Sequence, residues 1–83
     1  MIQQTSLLAY ESIVLELGQR QTMVYRQLMK CPATNLELSR ITGLPINSIT
    51  PRVHELRKRG LVKRSKIRNC GVSGRKAIEW SVM

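Results

Sequence analysis

Asn47, Ser48, Thr50, Arg52 and His54 gather an amide, two hydroxyls, a guanidinium and an imidazole within eight consecutive positions. At about 100° per residue, Ile46, Ile49, Val53 and Leu56 fall on one stripe of a helix. Asn47, Pro51, His54 and Lys58 fall on the opposite arc, flanked by Ser48, Arg52 and Arg59. One side of such a helix packs while the other meets a polyanion. Amide, hydroxyl and guanidinium groups near a helix N-terminus are the types that read base edges, because the major groove admits one helix and displays donors and acceptors to it. Asn47 suits bidentate pairing with adenine and Arg52 with guanine, while Thr50 belongs to the same surface. Asn47 and Ser48 equally suit a plain capping role, and His54 either touches phosphate or is simply solvated.

Bond-breaking chemistry has little to draw on. The chain has no Asp and a single His, which excludes a Ser-His-Asp triad, and its glutamates are scattered without an evident pair. Cys31, His54 and Cys70 would supply only three metal ligands at irregular spacing, and no Gly-rich phosphate loop follows a strand. We therefore expect neither an enzyme nor a metal or cofactor site.

Charge points to the partner. Fourteen Lys and Arg face five acids, all Glu, for a net charge of +9 and a pI near 10.6 over 83 residues. Residues 1–43 carry four cations and three acids, whereas residues 44–83 carry ten and two. A basic surface also serves solubility, but concentration of the excess in one half favours nucleic acid as partner. The length allows one small domain, residues 1–83, without a separate catalytic or effector-sensing unit. No apolar run of 18 residues and no signal-peptide pattern is present, so a cytoplasmic location without membrane contact is expected. Two cysteines, Cys31 and Cys70, lie 39 positions apart, which allows a disulfide but does not suggest a stapled secreted scaffold.

The elements that must position these groups are legible as periodicities. Leu7, Tyr10, Val14 and Leu17 predict a first helix from Thr5 to Leu17, with Gly18 closing it. Gln19 to Lys30 predicts a second, with Val24, Leu28 and Cys31 on one side, Met23, Tyr25 and Met29 broadening that side, and Pro32 ending it. Thr34-Asn35-Leu36-Glu37 fits a capping box and opens a third helix from Asn35 to about Thr42. Gly43 makes a tight turn into the fourth helix, Leu44 to Arg59, with its core at about 45–59, and Gly60 stops it. Pro51 conflicts with a helix interior unless Ser48 is the N-cap; the apolar stripe from Ile46 favours an earlier start with a bend or loose first turn.

Past Gly60 the period changes. Leu61, Val62 and Ile67 lie on one side of a basic segment, and Ile78, Trp80 and Val82 alternate with polar or small residues. Asn69, Gly71, Ser73 and Gly74 supply turn chemistry between them, so an antiparallel hairpin over about 61–82 is expected. Its tip region carries Lys63, Arg64, Lys66, Arg68, Arg75 and Lys76. Arg68, with Lys66 and Arg75, is expected near the tip, entering a minor groove or clamping the backbone. Lys58, Arg59, Lys63 and Arg64 are expected on phosphates; six neutralised phosphates give log K against log salt a slope of about −5. Trp80 and the methionines are read as core. A mainly α fold with a small hairpin results: a winged helix-turn-helix of about four helices and a two- or three-stranded wing.

Thr34 to Val62 resembles the DNA-binding core of MarR-like winged-helix regulators, its ending Glu55-Leu56-Arg57-Lys58-Arg59-Gly60-Leu61-Val62 being similar to their EL-basic-basic-GLV helix terminus. The fuller pattern covers nearly the whole chain. Tyr10-Glu11-Ser12-Ile13, Leu17-Gly18, Pro45 to Arg52 and Ser73 to Trp80 are similar to short winged-helix proteins of bacterial phages and prophages. The resemblance implies a double-stranded DNA partner and a small transcriptional regulator, with Asn47, Ser48, Pro51 and Arg52 facing the groove. Pro51 departs from the pattern, since MarR-like helices often carry Arg there. The extra dimerisation and effector helices of larger regulators are absent, leaving homodimer and monomer both open. The alternative is a winged-helix protein-interaction module, or a replication or recombination accessory, with only non-specific nucleic-acid affinity; Leu7, Leu8, Ile13 and Val14 motivate the module.

Overall fold

A computed structural model describes residues 17–83, which form three helices followed by a two-stranded antiparallel hairpin. The elements are α1 (Gln19–Lys30), α2 (Asn35–Thr42), α3 (Ile46–Lys58), β1 (Val62–Asn69) and β2 (Lys76–Val82). The first expected helix, Thr5 to Leu17, lies outside the described residues but for its last position. Gly18 does not close it as a left-handed cap: it is extended (φ −69°) and is the N-cap of α1. The Gln21 side chain reaches back to accept from the Gly18 N–H at 3.2 Å.

Each helix end has a local cause. In α2, Thr34 Oγ1 accepts from the Glu37 N–H (3.2 Å) while Glu37 Oε1 accepts from the Thr34 N–H (3.0 Å), completing the capping box. Gly43, at φ +78°, turns the chain out of α2. At the end of α3 the Gly60 N–H donates to the Arg57 carbonyl and the Leu61 N–H to that of Leu56, both at 3.0 Å, which is the Schellman pattern.

The core draws Val24, Tyr25 and Leu28 from α1, Leu38 from α2, Ile49, Val53 and Leu56 from α3, and Val62 and Trp80 from the hairpin. Full burial of such side chains is worth roughly 1.5–3 kcal/mol each, which is what holds three short helices together. Several expected core members are outside it. Met23, Met29 and Cys31 of the second helix are exposed, because the buried stripe turns through Val24, Tyr25 and Leu28 and the chain is already extended at Cys31. Ile46 is exposed at the start of α3.

The hairpin register pairs Val62 with Val82 and Asn69 with Lys76. A bulge between Arg64 and Lys66 returns Ile67 to the side of Val62, opposite Ile78, yet Ile67 lies too far along the hairpin to reach the core and is exposed. Ala33 and Trp80 exchange backbone hydrogen bonds of 3.1 and 2.8 Å, adding a single bridge beside β2 and tying the entry to α2 to the hairpin. The Arg57 guanidinium lies 5.5 Å from the Trp80 ring centroid, which joins α3 to the same strand.

Pro51 sits well inside α3, not in a first turn capped by Ser48. The N-cap is Pro45, whose carbonyl accepts from both Ser48 (2.9 Å) and Ile49 (3.1 Å), and the helix runs unbroken through Pro51. Burial of Ile49, Val53 and Leu56 on one stripe outweighs the missing donor at residue 51. Pro51→Ala should therefore stabilise the protein. Restoring a helical N–H outweighs the proline's smaller unfolded-state entropy, for a net gain of about 1 kcal/mol, read as a raised urea midpoint at unchanged slope.

Candidate nucleic-acid interface

On α3 the exposed residues after Ile46 are Asn47, Thr50, Pro51, His54, Arg57 and Lys58. Asn47, Pro51, His54 and Lys58 follow one another at spacings of four, three and four and so share a face. The first-turn N–H groups of Ile46 and Asn47 have no intrahelical acceptor and open on the same end. This face matches the arc read from the sequence.

Two of its expected members are elsewhere. Ser48 is buried, and its hydroxyl accepts from Arg20 Nη1 of α1 at 3.0 Å, so it belongs to the contact between helices. Arg52 is half-buried, its Nε and Nη2 donating to the two oxygens of Glu55 at 2.7 and 3.0 Å. Glu55 also accepts from Gln21 Nε2 at 2.7 Å. These donors, Arg52 first and Gln21 second, hold the Glu55 carboxyl below its ordinary range.

Arg68 departs furthest from expectation. Its guanidinium does not project from the hairpin tip; it is gripped by two carboxylates. Nη2 and Nη1 donate to Glu37 Oε1 and Oε2 at 2.6 and 2.9 Å, Nε to Glu79 Oε1 at 2.6 Å, and Nη1 also to the Asn69 carbonyl at 3.0 Å. The Gly71 N–H reaches Glu37 Oε2 at 2.8 Å, and a Cβ on Gly71 would stand 3.0 Å from that oxygen, so the hairpin tip is docked on the N-terminus of α2. The Arg68 guanidinium is the main cause that lowers the Glu37 carboxyl to about 2, with the Thr34 and Gly71 N–H groups adding to it, and it lowers Glu79 as well. Beneath the tip the buried Cys70 sulfur lies 3.0 Å from Thr34 Oγ1; that hydroxyl and the Val72 and Ser73 amides hold the thiol down at about 7.

Lys63, Arg64 and Lys66 are exposed along β1, Arg75 is exposed at the tip and Lys76 at the start of β2, while Arg59 caps α3. Lys58 and Lys63 are separated by four residues, so the basic end of α3 runs directly into the basic strand. Glu37, Glu55 and Glu79 are the acids of the described residues, and each is bound by an arginine. Their charge is therefore compensated inside the protein. Sequence reading missed the second role of Glu37, whose signal was visible only as a cap, and missed Arg20 and Gln21 as partners of α3. Among the described residues no three His, Cys or Glu side chains group so as to hold a metal ion, and no helix is long and apolar enough to cross a membrane. No family model matches the chain, and no curated protein matches it.

Proposed function

We propose that this chain is a winged-helix protein that binds double-stranded DNA, and that it acts as a small phage or prophage transcriptional regulator. α3 enters the major groove and the basic hairpin, as the wing, follows the backbone. One observation carries the reading. The described carboxylates are all bound to Arg52 or Arg68, which leaves Lys58, Lys63, Arg64, Lys66, Arg75 and Lys76 exposed without a salt bridge among the described residues. Cations left in that state beside a polar helix face suit a row of phosphates next to a groove. Selection from a random duplex pool, with the mass of the protein measured in solution, tests it. An enriched site is expected, palindromic if the protein is a dimer. A protein that retains no duplex at low salt would sink the proposal.

A second reading, a protein-interaction module or a replication or recombination accessory, draws on a different feature. Leu36, Leu44, Pro45, Ile46 and Val72 line an open groove of about 550 Å³ between α2, α3 and the hairpin tip. Retained duplex binding without any enriched sequence would favour it.

A further inference from the structure

We infer that the α3 face recognises A·T pairs, Asn47 pairing with adenine and Pro51 packing against the thymine methyl, and that its first two turns present no free arginine or lysine to read guanine. The inference rests on the DNA-binding reading above and narrows it to a class of base pair. Guanine is read most often by a bidentate Arg or Lys on O6 and N7. Arg52 is the sole arginine in the first seven residues of α3, and Glu55 engages it through both carboxylate oxygens. Ser48, whose hydroxyl would serve several bases, is buried against Arg20. Lys58, the last residue of the helix, is the nearest exposed lysine, far from the end that meets base edges.

What remains exposed there has a different chemistry. Asn47 offers an amide oxygen to adenine N6 and an amide N–H to N7, two bonds in one plane. One turn on, Pro51 offers a ring with no polar atom, flanked by Thr50 with its methyl and preceded by the exposed Ile46. Thymine alone among the bases puts a methyl group into the major groove, and apolar side chains are its partners. Pro51 also costs helix stability where its exposed ring recovers little by burial, which is how a residue placed for contact rather than for folding behaves.

The test uses the full chain and the enriched duplex, with each thymine replaced in turn by deoxyuridine, which removes the methyl alone. The enriched site is expected to contain A·T pairs, and at least one replacement should weaken wild-type binding by roughly 3- to 10-fold. Pro51→Ser, which relieves an interior proline and so keeps the fold, should bind thymine and uracil duplexes equally. Asn47→Ala should lose roughly 10-fold or more on the selected site with an unchanged salt slope. A G·C-only site, or uracil discrimination that survives in Pro51→Ser, overturns this inference and leaves DNA binding standing. Absence of any duplex binding overturns the functional reading itself, and with it the base preference.

Discussion

Glu37→Gln lowers the unfolding free energy at pH 7 by about 2 kcal/mol and removes the share of its fall in acid that Glu37 carries. The Glu37 carboxylate accepts four hydrogen bonds, from Thr34 N, Gly71 N and two nitrogens of Arg68, and so joins the start of α2 to the end of β1 and to the hairpin tip. The Arg68 guanidinium is the largest of the influences that lower its carboxyl from 4.5 to about 2. Because the folded value is the depressed one, the stabilisation is complete above about 4.5, declines as the pH falls toward about 2, and is gone below it. At 1.36 kcal/mol per pKa unit the interval corresponds to about 3 kcal/mol, and solvent screening on the open side reduces this to about 2. A domain of this length has roughly 4–12 kcal/mol in all, so the loss is large. Urea unfolding of both proteins at pH 7 and near pH 2.5 checks it: the two should differ at the first and converge at the second. A gap that stays constant with pH would show that the Glu37 carboxylate contributes nothing acid-sensitive.

The same residue shows how far the sequence carries. The box formed by Thr34 and Glu37 was legible because both partners lie within one turn, and Gly43 and Gly60 because a left-handed cap is a local demand. Arg68 lies 31 positions from Glu37 and Gly71 lies 34, and no periodicity encodes a pairing at that range. Arg68 therefore read as a free cation at a wing tip. Ser48 and Arg52 failed for a related reason: both sit at the edge between the apolar stripe and the polar arc, where rotation alone does not decide exposure. Packing of α1 decides it, through Arg20 on Ser48 and Gln21 on Glu55. Asn47, Pro51, His54 and Lys58 were read correctly as the outer arc because they stand well away from Ile49, Val53 and Leu56. The apolar stripe from Ile46 located the start of α3 correctly; the Ser48 cap that proline chemistry offered as the alternative is overridden by the burial of Ile49, Val53 and Leu56.

Replacing Lys63, Arg64 and Lys66 together with Ala weakens duplex binding at 0.1 M salt by about 10²- to 10³-fold while leaving the thermal midpoint nearly unchanged. All three are exposed on β1, so their removal takes nothing from the core. Each neutralised phosphate contributes about 0.9 to the slope of log K against log salt, and at 0.1 M that amounts to roughly 8-fold in affinity. Three such contacts make the slope shallower by about 2.7 and multiply to about 500-fold. Lys30→Ala is the control: this exposed lysine in the last turn of α1 changes the net charge, but it lies on a different element from the proposed interface and should leave the slope as it is. If affinity followed net charge alone, Lys30→Ala would shift the slope as much as any one of the three. A triple variant with the wild-type slope would place the phosphate contacts away from β1, because counterion release depends on which cations meet the backbone and not on how many the protein carries.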